Sequence, residues 1–166
     1  GGMKQKLALS CALVHKPEIL FLDEPTTGVD AVSRREFWQM LKRLKEYGIT
    51  IVVSTPYMDE ASLCDKVALM SQSQLLVEDT VERINARYPF PLFAVAGAKM
   101  SKMQEALRRK DYINSVYLFG QELHVSLKPN SRIDDLRNGL SKEGFLEAKI
   151  IPISAGIEDS FMMLSE

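Results

Sequence analysis

The stretch Ile19 to Asp30, ILFLDEPTTGVD, constrains the fold of this chain more than any other. Ile19, Leu20, Phe21 and Leu22 form a short continuous apolar run, the pattern of a strand buried on both faces of a parallel sheet. Ligands of such sheets bind beyond the carboxyl ends of the strands, and that is where Asp23 and Glu24 emerge. Pro25 has no N–H for a sheet ladder, so it ends the strand and leaves the two acids at its tip. Acidic residues often terminate strands, so the pair acquires meaning only from its neighbours.

Upstream, Gly1 and Gly2 open MKQKLALSCALVHKP, where Met3, Leu7, Leu9, Ala12 and Leu13 supply an apolar helical face and Pro17 closes the segment. A helix with a bare glycine N-terminus lets an anion approach the backbone N–H groups at the positive end of the helix dipole. Taken alone, the glycines better suit a flexible lead-in to an ordinary helix. Downstream, Ile49 to Val53 is a second β-branched run, followed by STPYMDEA from Ser54 to Ala61. There Thr55 suits a cap, Pro56 the first helical position, and Asp59 and Glu60 the positive end of a helix.

Together, GGMKQKLALSCAL, ILFLDEP and TTGVD resemble the second half of an ATP-binding-cassette ATPase, in which a glycine-rich signature precedes the Walker B strand by about this distance. The resemblance implies that Gly1 and Gly2 end the signature, that Asp23 is the Walker B aspartate helping to hold Mg²⁺ through water, and that Glu24 is the catalytic glutamate. It makes Gly28, Val29 and Asp30 the D-loop, with Val29 where leucine is usual. At the switch histidine of the family, which contacts the γ-phosphate, stands Pro56, with neither a side-chain donor nor a backbone N–H. That departure damages chemistry rather than fold, and implies reduced hydrolysis. The implied cofactors are ATP and Mg²⁺, in a full-length parent.

No G-x-x-x-x-G-K-[ST] phosphate loop occurs in the sequence, so the chain reads as the C-terminal portion of a longer subunit, inactive alone. PTTGVD resembles transporter ATPases, and the expected assembly is a bacterial exporter. A second ATP-binding cassette, as homodimer or tandem, would close over ATP, and a separate or fused transmembrane permease would carry the cargo. The expected location is the cytoplasm, peripheral at the inner face of the membrane. The alternatives are a non-catalytic regulatory or interaction module, or an ATPase of translation or DNA repair.

With 166 residues and 46% hydrophobic content the chain can fill one or two small cores, and a formal net charge of −1 leaves no electrostatic footprint for nucleic acid. No apolar run reaches membrane-spanning length. Cys11 and Cys64 read as buried thiols, and His15 and His124 lack metal-ligand spacing.

The expected fold class is α/β. Residues 1–88 should form the C-terminal part of the ATPase domain, a partial P-loop NTPase (RecA-like) parallel-sheet core. It should contain strands at 19–22, 49–53, 66–70 and 74–78, helices at 31–47 and 57–63, and a short helix after Thr80. After the Pro-rich joint ARYPFP, residues 89–166 read as βαββαβ, a small α+β ferredoxin-like accessory domain. Its parts are strand Leu92–Ala96, helix Ser101–Lys110 with a Ser101/Gln104 capping box, a hairpin of Ser115–Phe119 and Glu122–Leu127 around Gly120, helix Ile133–Leu140, and strand Ala148–Ile153. A last helix near GIEDSFMMLSE resembles the tail of an accessory domain in drug-export and antibiotic-type ATPase subunits. For this domain a packing or dimer-stabilising role comes before small-ligand regulation and RNA binding.

Overall fold

A computed structural model of the chain describes residues 2–165, and it divides into two compact units, Gly1–Val67 and Ala68–Glu166. The first unit begins with helix α1 (Gly2–Leu13), then strand β1 (Ile19–Asp23), helix α2 (Ala31–Glu46), strand β2 (Thr50–Ser54) and the short helix α3 (Met58–Ala61). β1 and β2 are parallel and in register, Ile19 opposite Thr50 through Asp23 opposite Ser54. A parallel pair needs a crossover, and α2 supplies it. Because strand side chains alternate, Leu20 and Leu22 share a face with Ile51 and Val53, and this face packs with Leu9, Phe37 and Leu41 of the helices.

The opposite face departs from expectation. Ile19, Phe21 and Val52 are 52%, 74% and 46% exposed, so the strand is covered on one side only. α1 and α2 both contribute to the cluster on the Leu20 face, which leaves the face bearing Phe21 and Asp23 open to solvent. α1 differs in the same way: Met3 and Leu7 of its expected apolar face are exposed, and Leu9 is buried. Cys11, expected to be buried, is exposed, and Cys64 is half-buried.

Strands β3 (Val67–Ser71), whose first residue closes the first unit, and β4 (Gln74–Asp79) form a two-stranded sheet. Gln72 and Ser73 both adopt positive φ, 49° and 63°, as the tight turn of a two-residue hairpin requires. Thr80 caps helix α4 (Val81–Ala86), its hydroxyl accepting from the Arg83 N–H. Then come β5 (Leu92–Ala96), α5 (Met100–Arg108), β6 (Ile113–Phe119), β7 (Glu122–Leu127), α6 (Ile133–Lys142), β8 (Lys149–Pro152) and α7 (Ile157–Ser165). The four last strands form one antiparallel sheet in the order β6-β7-β5-β8.

Phe93, Val95, Leu123, Val125 and Leu127 project from one face of this sheet onto Met103 and Leu107 of α5 and Leu136 and Leu140 of α6. Burying each such side chain contributes about 1.5–3 kcal/mol. The other face is occupied as well. His124, opposite Ala94 on β5, hydrogen-bonds through Nδ1 to Asp159 Oδ1 of α7 at 2.7 Å, and Asp159 Oδ2 accepts the Gly156 N–H at 2.8 Å. Asp159 thus caps α7 and ties it to the sheet. Ser160 Oγ donates to Asn85 Oδ1, joining α7 to α4.

The Ser101/Gln104 capping box is not formed. Lys99 takes a left-handed conformation, φ 60°, that starts α5 at Met100, so Ser101 lies inside the helix and Gln104 Nε2 donates to the Val116 carbonyl. No helix among the described residues is long and apolar enough to cross a membrane.

Candidate functional site

The parallel register sets Asp23 beside Ser54, and the Ser54 hydroxyl donates to Asp23 Oδ1. Both lie on the open face of the sheet, in line with Phe21 and Val52. The next residue, Glu24, donates its N–H to the Ser54 carbonyl at 3.0 Å, with Ser54 Oγ at 3.1 Å. Its φ is 41°, a left-handed conformation that costs a non-glycine residue on the order of 1–3 kcal/mol. The strain turns the chain out of the strand and points it into Pro25. Thr27 holds the turn by donating its N–H to the Glu24 carbonyl at 3.2 Å and its hydroxyl to Glu24 Oε2 at 3.1 Å.

The turn continues through Gly28, φ 73°, where no neighbour lies near a side-chain position and only the backbone conformation favours glycine. Asp30 then caps α2. Its Oδ1 accepts from the Val32 and Ser33 N–H groups at 3.1 and 3.0 Å. These bonds, the Ser33 one foremost, hold its carboxyl below the usual carboxylate value. The start of α1 meets the same cap: a Cβ built on Gly2 would lie 2.5 Å from the Ser33 Cβ and 2.7 Å from its Oγ. Glycine is therefore required by packing against α2. Gly1, expected beside it, lies outside the described residues.

Pro56 is exposed in the loop after β2. It is not the first residue of a helix as expected. Tyr57 is extended, φ −96° and ψ 113°, which delays α3 to Met58. Thr55 still assists the turn, its Oγ1 accepting the Tyr57 N–H at 3.1 Å.

Sequence reading assigned Glu60 only a favourable place near a helix end, yet it is 1% exposed and joins the two loops. Thr26 Oγ1 donates to its Oε1 and Thr55 Oγ1 to its Oε2, each at 2.6 Å. Arg34 of α2 stands 3.6 Å from Oε1 through Nε, and its guanidinium lies 4.3 Å from the centre of the Tyr57 ring. A buried carboxylate flanked by two loop threonines and an arginine leaves no periodic signal. The available clue was the pairing of threonines after two strand ends with an acid in the following helix.

The described residues contain no group of three His, Cys, Asp or Glu side chains close enough to cage a metal ion. Mg²⁺ in nucleotide sites is held by one or two carboxylates, water and phosphate rather than by an all-protein cage, and Asp23, exposed and oriented by Ser54, fits that smaller role.

The family model described as ABC transporter matches residues 1–27, which span α1, β1 and the turn as far as Thr27. A probable multidrug ABC transporter ATP-binding protein of Escherichia coli is 48% identical over 86 residues, 52% of this chain and 15% of the relative. The daunorubicin/doxorubicin resistance ATP-binding protein of Streptomyces peucetius is 31% identical over 148 residues, 84% of this chain and 42% of the relative. The Nod factor export ATP-binding protein I of Neorhizobium galegae is 31% identical over 167 residues, 99% of this chain and 46% of the relative. The chain spans less than half the length of each of these relatives. The match of its first residues and the likeness that runs on into its second unit make the chain similar to the ATP-binding proteins of ABC transporters.

Proposed function

We propose that this chain is the C-terminal portion of the ATP-binding subunit of a bacterial ABC exporter, and that ATP hydrolysis in the whole subunit depends on Glu24. The observation that carries the reading is the strained turn at Glu24, which presents two adjacent carboxylates at the end of a parallel strand while Ser54 fixes the first of them. Residues held in sparsely populated backbone conformations cluster at functional sites. Glu24 orients or deprotonates the attacking water, and Asp23 would help to hold Mg²⁺ through water. When bound, Mg²⁺ neutralises charge on the phosphates. Gly1 and Gly2 would face the nucleotide of a partner cassette, with Asp30 at the same junction of α1 and α2.

In this reading the ATPase part runs through residues 1–88 and the accessory domain through 89–166. The sheet order β6-β7-β5-β8, with a helix after β5 and after β7, supports a ferredoxin-like assignment for the latter. A permease in the membrane and a second cassette complete the assembly, which would sit at the inner face of the cell membrane. The export name of the Nod factor relatives supports the direction of transport.

Pro56 favours a second reading, a subunit that binds ATP and turns over slowly or not at all. Glu24→Gln in the full-length subunit separates the two. If the subunit hydrolyses ATP through Glu24, single-turnover hydrolysis falls by about 100-fold or more while MgATP affinity stays within about two-fold. Equal rates for both proteins would reject Glu24 as the catalytic group, and no hydrolysis in either would favour the second reading. The 166-residue chain alone is expected to give no calorimetric signal with micromolar MgATP, and a micromolar Kd would refute that expectation.

A further inference from the structure

Two loops leave the ends of β1 and β2, one bearing Glu24 and the other Pro56, and one buried side chain touches both. Glu60 accepts from Thr26 on the first loop and from Thr55 on the second, through different carboxylate oxygens. We infer that Glu60 is a positioning residue for hydrolysis, a clamp that holds Glu24 and residue 56 in one geometry; the inference rests on the catalytic reading of Glu24 proposed above.

The bonds on either side of Glu60 carry the argument. Thr26 is 1% exposed, and its carbonyl accepts the Val29 N–H at 3.1 Å, so fixing its side chain also fixes the turn toward Asp30. Adjacent Thr27 bonds the Glu24 carboxylate itself. On the other side, Thr55 Oγ1 uses its hydrogen toward Glu60 and its lone pair toward the Tyr57 N–H, closing the turn around Pro56. Arg34 adds the positive charge a buried carboxylate requires, and its stacking against Tyr57 brings α2 to the second loop.

The chemistry explains why glutamate is suited to the place. An ionised carboxylate only accepts hydrogen bonds, so it takes one hydroxyl on each oxygen and leaves neither loop with a choice of partner. A carboxamide of the same shape has one accepting and one donating end, so one threonine must reverse its hydroxyl. Thr55 would then meet two donors, the amide and the Tyr57 N–H. Glu60 reaches Glu24 only through Thr26 and the turn that follows it, so its contribution is to angle and distance. Small misplacements of catalytic groups are costly in rate.

The test compares Glu60→Gln, Thr26→Val and Thr55→Val in the full-length subunit, with Glu24→Gln beside them and MgATP as the probe. Glu60→Gln is expected to lower the single-turnover rate by about 10- to 100-fold with MgATP affinity within about two-fold. Each valine variant should give part of that loss. In a Glu24→Gln background, Glu60→Gln should cost nothing further, because the group it positions has been removed. Restoring one threonine contact by Glu60→Asp should not recover the rate, since the shorter chain cannot span both loops.

A folded Glu60→Gln protein with an unchanged single-turnover rate, in a subunit that Glu24→Gln impairs, would overturn the inference. So would a full additional loss in the Glu24→Gln background. Should Glu60→Gln fail to fold, the two valine variants, which keep the buried charge paired with Arg34, decide by the same criteria. Loss of effect from Glu24→Gln itself would instead reject the catalytic reading, a different and recognisable outcome.

Discussion

The two units treat the faces of their sheets in opposite ways. In the second, α5 and α6 close one face, and His124 bonds to Asp159 of α7 on the other, so that Leu123, Val125 and Leu127 are fully buried. In the first, one face packs on Leu9, Phe37 and Leu41, and the other leaves Phe21 74% exposed in the row that ends in Asp23 and Ser54. Asp23 and Ser54 stand on the open face, and His124 of the closed sheet is bonded to Asp159. The contrast separates a sheet covered on one face from a sheet covered on both.

The largest effect that could break this comparison is a truncation in each sheet. Leu123→Ala removes a side chain with 0% exposure and should destabilise the second unit by about 2–5 kcal/mol in denaturant titrations followed by circular dichroism. Phe21→Ala, on the open face, should change stability by no more than about 0.5 kcal/mol. A comparable loss from both would mean that the Phe21 face is covered in solution.

Pro56→His sharpens the comparison from the side of chemistry. The residue is exposed and its loop is held by Thr55 rather than by its own side chain, so the fold should tolerate the exchange. If an imidazole here stabilises charge on the transferring phosphoryl group, single-turnover hydrolysis in the full-length subunit rises by up to about 1000-fold, a contact worth roughly 2–4 kcal/mol. Affinity for MgATP should move far less. Equal chemical steps in the two proteins would make Pro56 a neutral variant.

What was legible in the sequence follows from range. The β1 run, the Pro25 break and the short helix after Thr80 are set by neighbours in the chain, so pattern and turn chemistry suffice. The order βαββαβ from β5 to β8 was legible for the same reason, being carried by alternation within short windows. Exposure of Phe21 was not, because an apolar run specifies a strand without saying how many layers cover it. Glu60 was missed for a related reason: its partners Thr26 and Thr55 are distant in sequence, and only the parallel register of β1 and β2 brings their loops together. The Ser101 cap failed locally, where a left-handed Lys99 started the helix one residue earlier.

The smallest expected effect concerns charge at the edge of the site. Asp30 accepts two N–H groups of α2, and these bonds favour its ionised form, so its folded-state value lies below 3.8. The sign is that of a depressed acid: its contribution is fully present above 3.8 and is lost as pH falls through the lowered value. In the second unit Lys110 and Glu143 pair, with Lys110 raised above 10.5 and Glu143 lowered below 4.5 by the contact. That pair therefore weakens at both ends, as pH falls below 4.5 and as it rises above 10.5. Between these limits neither the Asp30 cap nor the Lys110–Glu143 pair should change. An NMR titration that follows the Val32 and Ser33 amides should show a transition with its midpoint below 3.8, absent in Asp30→Asn, which keeps an N-capping side chain without the titrating proton. A midpoint at or above 3.8 would mean that the cap is not formed in solution, and that the junction of Gly2, Ser33 and Asp30 is looser than its close packing implies.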